Sequence, residues 1–247
     1  MRVAALYDIH GNLPALEAVL QDVRQAGVDL VVVGGDVFPG PMSRETLACL
    51  LELDRPVRFI QGNGDREVLV QRTGGETALP EQFLEAIRWV AEQLHPDDER
   101  LIAGWPPMLR VEIPGLGAVL FCHATPRNDT EIFTRLTPED RLVPVFAGLD
   151  VSVVVCGHTH MQFDRMVGGI RVVNAGSVGM PFGEPGADWL LLGPGVELRH
   201  TLYDLAQAAE RIRGTNYPQA QDFADNSVLH PPSERDILER FAPAELR

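Results

Sequence analysis

Five short apolar runs in this 247-residue chain each lead into side chains that carry oxygen or nitrogen. Residues 3–7 run into Asp8-Ile9-His10, and residues 30–33 into Gly34-Gly35-Asp36. Residues 57–60 lead to Gln61-Gly62-Asn63-Gly64-Asp65, residues 118–122 to His123, and residues 151–156 to Gly157-His158-Thr159-His160. Runs of this length, rich in β-branched and aliphatic side chains, read as buried strands. Amphipathic stretches separate the first three. Residues 13–26 carry apolar side chains at helical spacing with a stop at Gly27, and residues 44–53 follow a capping Ser43 and close at Pro56. The βαβαβ rhythm predicts an α/β fold with parallel strands and right-handed crossovers.

From Gly168 onward the runs crowd together at residues 170–173, 189–192 and 196–203, separated by Gly and Pro turns. They predict an antiparallel meander beside the first sheet. Residues 204–214 predict one more helix. Residues 215–247 read as a polar segment with a short helical signal at residues 233–241 that wraps the domain or frays. Neither a repeat nor a linker interrupts the chain, so a single domain over residues 1–247 is expected, with 204–247 as a C-terminal helical extension.

Composition removes several classes of function. The net charge is −14, and all 21 basic side chains are arginine. Codon bias toward GC is the expected cause of the missing lysine, with a salt-adapted surface as the alternative. A chain this acidic lacks the footprint of a duplex nucleic-acid binder. Apolar stretches fall short of the ~18 residues of a membrane span, and polarity begins at Asp8, too early for a signal peptide. No membrane association is expected, and a cytoplasmic location is. Three cysteines cannot staple a chain of this length. Cys49 sits in a helical pattern, Cys122 turns away from the side that His123 uses, and Cys156 reads as a buried thiol.

The strand ends carry the chemistry. Four of the seven histidines, two aspartates and an asparagine fall where open α/β sheets assemble their sites. In Asp8-x-His10 and His158-x-His160 the spacing places both side chains of a pair on one side of an extended segment. Each piece alone is weak, since aspartates cap helices and Asn-Gly is a turn dipeptide. Together, imidazoles, carboxylates and a hard amide oxygen suit two divalent cations ~3.5–4 Å apart, with positions open for substrate. Without thiolates, the set suits manganese first, with iron, zinc or nickel as the other candidates.

The order D-x-H, G-D 26 residues after the histidine, G-N 27 residues further, a lone H, then G-H-x-H resembles the calcineurin-like metallophosphoesterase superfamily. The resemblance covers residues 3 to about 178 and includes Asn174-Ala175-Gly176-Ser177. It implies two packed mixed β-sheets flanked by helices. It also implies that Asp8, His10, Asp36 and His160 hold one metal and Asp36, Asn63, His123 and His158 the other, with Asp36 as the bridge. The implied activity is a dinuclear phosphoesterase that cleaves phosphodiester or phosphomonoester bonds through a metal-bridging hydroxide. Dinucleoside polyphosphate hydrolysis and serine/threonine protein dephosphorylation are the alternatives within that class. A metal-binding interaction scaffold is the alternative outside it.

One departure from the family pattern stands out. The third motif usually reads G-N-H-D or G-N-H-E, with the histidine acting on the leaving group, and here the position is Gly64. Asp36, Asn63 and Asp65 are the expected catalytic residues, Asp65 by orienting a ligand histidine. Arg66 and Arg127 are the expected substrate-binding residues, ahead of Arg72 and Arg135, because a guanidinium grips two phosphate oxygens. Residues 66–82 and 125–144 are expected to overhang the site and set the size of a phosphorylated small-molecule substrate. Phe38, Phe133 and Phe182 are the candidates for stacking a base near the metals.

Overall fold

A computed structural model describes residues 1–77 and 79–246, and of Gln82 the backbone alone. Two mixed five-stranded sheets pack face to face. Strands β1 (Val3–Leu6), β2 (Leu30–Val33) and β3 (Val57–Phe59) run parallel, joined by helices α1 (Leu13–Gln25) and α2 (Ser43–Leu51). The hairpin β9 (Ala187–Leu192) and β10 (Val196–Thr201) adds antiparallel to the free edge of β1. The second sheet runs in the order β4 (Met108–Ile113), β5 (Gly117–Cys122), β6 (Val153–Cys156), β8 (Ile170–Asn174), β7 (Phe163–Val167). Its three central strands are parallel and its two edges antiparallel.

Strand alternation builds the layers. Val3, Ala5, Leu30 and Val32 face the second sheet, where they pack with Val111, Phe121, Val153 and Val155. Their neighbours Ala4, Leu6, Val31 and Val33 face the helices on the other side. Beyond the second sheet, α6 (Glu139–Phe146) covers Val154, Phe163 and Val172. Asn12 starts α1 by accepting the N–H of Ala15 at 3.2 Å, with Pro14 in the first turn.

The meander expected beside the first sheet is divided instead. Strand β8 joins the second sheet, parallel to β6, and only β9 and β10 extend the first. Edge strands β4 and β7 fall outside the apolar-run pattern because each interleaves polar side chains on its exposed face. Ser43 opens α2 from inside the helix rather than capping it, its hydroxyl donating to the Gly40 carbonyl at 2.8 Å. Helices α3 (Asn63–Arg72), α4 (Glu81–Gln93) and α5 (Pro96–Ala103) fill the interval after β3. The helix expected at residues 204–214 is α7 (Leu205–Arg213). Among the described residues of 215–246 the segment wraps the domain, forming α8 (Ala220–Phe223), a π-helical turn over Ala224–Leu229, and α9 (Glu234–Phe241). Ala208, Ile212, Phe223 and Val228 join the core on the helix side of the first sheet. Among the described residues, no helix is long and apolar enough to cross a membrane.

Candidate metal centre

The carboxyl ends of β1, β2, β3, β5 and β6 converge where the two sheets meet, bringing together Asp8, His10, Asp36, Asn63, His123, His158 and His160. The pleat is not what aligns the histidine pairs. Asp8, His10, Asp36, His158 and His160 all have φ between 48° and 65°, and among the described residues Leu246 is the one other non-glycine residue in that region. Each such conformation costs on the order of 1 kcal/mol, and such strain persists where the surroundings over-determine it. The side chains therefore converge through left-handed turns, not through an extended backbone.

The imidazoles are held from behind. His123 Nδ1 lies 3.0 Å from the Gly34 carbonyl, His160 Nδ1 2.9 Å from that of Met180, and His10 Nδ1 3.3 Å from that of Pro39. A carbonyl only accepts, so each Nδ1 carries the proton and each Nε2 presents a lone pair inward. His158 makes its own backbone hydrogen bond to Thr130. The inward atoms crowd together: His10 Nε2 and His160 Nε2 are 3.3 Å apart, and one amide atom of Asn63 is 3.0 Å from His123 Nε2 and 2.9 Å from His158 Nδ1. Asp8 Oδ1 is 3.3 Å from His160 Nε2 and 3.8 Å from His123 Nε2, is fully buried, and has no hydrogen-bond partner. Asp36 Oδ2 stands 3.7 Å from His10 Nε2 and 3.5 Å from His123 Nε2, within reach of both groups of imidazoles. Lone pairs facing lone pairs and an orphaned carboxylate oxygen are the arrangement that cations resolve, so the donor set fits divalent metal.

The electrostatics agree. Burial, then the nearby His160, lowers the His10 imidazole to about 3; burial, then His123, does the same to His158. Both are neutral at neutral pH, the state in which an imidazole can donate a lone pair to a metal. Burial alone would raise Asp8, but His160, His123 and His10 hold it well below the usual carboxylate range. Burial and the charge of Asp8 push Asp36 well above it. His160 is raised, the pull of Asp8 outweighing burial. A divalent cation would reverse the direction at both Asp36 and His160.

Two loops brace the ligands. Asn174 donates to the Gly157 carbonyl at 2.7 Å and to Thr159 Oγ1 at 3.0 Å, and Ser177 donates to the Asp8 carbonyl at 2.7 Å. The Asn174 to Ser177 motif thus pins β6's ligand loop to β1's. Asp65 orients no histidine. Its Oδ2 accepts the N–H of Asp36 and of Gly62, both at 2.9 Å, and its Oδ1 accepts that of Phe38 at 3.1 Å, so it joins the β2 loop to the β3 loop. Gly64 N–H donates to Asp36 Oδ1 at 2.7 Å.

A cavity of about 500 Å³ opens from His10, Asp36, Asn63, His158 and His160. Arg66 and Arg127 do not line it. Arg66 is bound to Asp129 at 2.7 and 3.2 Å and to Glu67 at 2.5 Å, and Arg127 is bound to Glu131. Arg72 and Arg135 pair with Glu99 and Glu234. Of the two segments expected to overhang, residues 66–82 supply Glu67 and Leu79, apart from Ala78 and the Gln82 side chain, which lie outside the description, and residues 125–144 supply nothing. Of the three phenylalanines, Phe182 reaches the cavity and stacks on His160 with centroids 5.3 Å apart. Phe38 lies against Trp105, and Phe133 lies against Phe146 and Phe163. The wall that sequence reasoning missed is the C-terminal segment, which contributes Tyr217, Gln219, Asp222, Phe223, Ser227 and Phe241. Aromatic residues spaced through an otherwise polar stretch were its signal.

Comparison with known proteins places this geometry. The calcineurin-like phosphoesterase superfamily domain matches residues 1–192. The uncharacterised protein MJ0912 of Methanocaldococcus jannaschii is 27% identical over 241 residues, spanning 88% of this chain and 94% of that one. The hypothetical protein PH1004 from Pyrococcus horikoshii OT3 shares the fold with a TM-score of 0.79 at 20% identity, over 94% of this chain and 99% of its own. A metallophosphoesterase from Sphaerobacter thermophilus gives a TM-score of 0.71 at 25% identity, over 92% and 99%.

Proposed function

The chain belongs to the calcineurin-like phosphoesterase superfamily, and from that premise we propose that it is a metal-dependent phosphoesterase that binds two divalent cations between its sheets and hydrolyses small-molecule phosphodiesters. The observation that carries this reading is the set of imidazole lone pairs aimed inward at Asp8 and Asp36, each imidazole held from behind by backbone. Asp8, His10, Asp36 and His160 would hold one cation, and Asp36, Asn63, His123 and His158 the other, with manganese the first to test. Two such cations supply Lewis acidity at the phosphoryl oxygens and hydroxide at neutral pH.

The chain's own side chains fix the rest. Asp65 keeps Asp36 and Asn63 in register by gathering three backbone N–H groups. No arginine lines the cavity among the described residues, so phosphate is recognised by the metal site alone. A monoanionic diester asks less of that site than a dianionic monoester or a polyphosphate. Gly64 offers no proton to the leaving group, which favours esters of acidic alcohols. A walled cavity suits a small molecule better than a phosphoprotein surface.

The test is to strip metals with a chelator and restore manganese, zinc, iron or nickel. Hydrolysis of bis(4-nitrophenyl) phosphate and 4-nitrophenyl phosphate is then followed for the wild type and for Asp36→Asn. Metal-dependent turnover, faster on the diester and lost in the variant, is expected. Metal binding without turnover on either ester would leave a metal-binding scaffold as the better reading.

A further inference from the structure

The cavity beside the ligand cluster has two unlike halves. One is the ligand set itself. The other is apolar, lined by Phe83 and Ile87 from α4 and by Phe182, Phe223 and Phe241. Phe223 and Phe241 come from beyond residue 192, outside the matched family domain. Phe182 joins the halves: its ring stacks on His160 and meets Phe241 edge-on at 6.4 Å. Phe83, which lines the cavity, is half exposed.

The charges of this second half are also informative. Imidazoles aside, the charged side chains that line the cavity are carboxylates: Asp36 at the metal end, then Glu67 and Asp222. Glu67 is already engaged by Arg66 and by the Thr77 hydroxyl at 2.5 Å, and Asp222 accepts from the Asn226 amide at 2.8 Å. A second phosphate, a carboxylate or a sugar phosphate placed here would meet negative charge and no compensating cation. A flat uncharged group would gain burial against aromatic surface.

We propose that the apolar half, closed by the C-terminal segment, is the binding site for one ester arm of the phosphodiester, and that this arm is an uncharged aromatic group. This assignment rests on the phosphoesterase reading for its chemistry, but the binding it describes is measured separately. Phe182, Phe223 and Phe241 are the specificity-determining residues. Phe241 is the most dispensable to folding, since it lies near the end of α9 and remains partly exposed.

The probes are diphenylphosphinate and dimethylphosphinate, two monoanions of equal charge that lack a scissile ester bond, titrated calorimetrically into the manganese-loaded protein. Diphenylphosphinate is expected to bind about tenfold or more tightly than dimethylphosphinate, with a negative heat-capacity change from apolar burial. In Phe241→Ala that ratio is expected to fall about threefold or more. Phe223→Ala is the second variant, with thermal unfolding run alongside because Phe223 is also core. Equal affinity for the two probes, or a ratio unchanged in both folded variants, overturns the assignment whether or not the protein turns over an ester. Absence of turnover with every metal overturns the phosphoesterase reading while the probe ratio still decides this one.

Discussion

The carbonyl oxygen of Phe38 lies 2.3 Å from the position that a Cβ on residue 64 would occupy, with Asp36 Oδ1 and Pro39 Cδ each at 3.1 Å. Glycine at 64 is therefore a packing requirement of the β2 loop, not a histidine site left vacant. The space into which a side chain would project is filled by backbone, which cannot step aside as a flexible side chain can. Gly64→His should lower activity further rather than restore a general acid, and should destabilise the fold by about 2 kcal/mol or more through overpacking. Thermal unfolding and turnover of a diester with a poor leaving group check both halves. A variant as stable as the wild type and faster on that ester would show the loop to be pliant.

Asp65 is the buried strut beneath the site. Burial and the charge of Asp36 push its carboxyl up to about 8, against the pull of the N–H groups of Gly62 and Phe38. Asp65→Ala leaves three buried N–H donors without an acceptor, and Asp65→Asn turns an amide NH₂ toward donors on at least one side. Each should cost about 2–4 kcal/mol. Because Asp36 and Asn63 flank these bonds, manganese affinity should fall about 10- to 100-fold. Calorimetric titration of manganese into each folded variant measures this, and unchanged affinity would confine Asp65 to a stability role.

What was legible in the sequence and what was not divide along physical lines. The convergence of Asp8, Asp36 and His123 could be read because a buried strand announces its own end, and the topology of parallel strands sends those ends to one edge. The left-handed turns that aim His10 and His160 could not be read, since they are imposed by the loops that brace them, Ser177 on Asp8 above all. The placement of Arg66 and Arg127 away from the cavity was not legible for a related reason. Their carboxylate partners Asp129 and Glu131 are distant or unremarkable in sequence, yet adjacent once the loop after His123 folds back. The helical signal at residues 233–241 was legible, but that Phe223 and Phe241 wall the cavity was not, because the destination of their segment is decided by the core it meets.

Those arginine pairings make a direct prediction. Arg66 is engaged by Asp129 outside the cavity and by Glu67 at its wall, and Arg127 by Glu131 outside it, so neither guanidinium is free for phosphate and Arg66→Ala and Arg127→Ala should change the KM for a small diester by less than about threefold. A lost bidentate phosphate contact would raise it tenfold or more. Both arginines are more than a third exposed, and their loss should cost below about 1 kcal/mol after solvent screening. Steady-state kinetics on the metal-restored variants separates the two outcomes.

Stability should also carry a pH signature remote from the metal centre. His200 Nδ1 sits 2.7 Å from Asp188 Oδ1 across the β9–β10 hairpin. The hydrogen bond to Asp188 raises the imidazole above its ordinary value, with its charge adding to the effect. A histidine raised in the folded state stabilises fully below its unfolded pKa of about 6.5, and that stabilisation is lost as pH rises through the folded value. Asp188 is itself raised, chiefly by burial, so its ionisation works against folding. His200 is 28% exposed in its side chain, and the contribution should be about 1 kcal/mol or less, roughly 2–4 °C in Tm. The wild type should therefore lead His200→Gln in Tm at about pH 6 and lose that lead by about pH 8.5. Thermal melts of the two proteins across that range are the measurement, and parallel curves would show that the pair carries no net charge coupling.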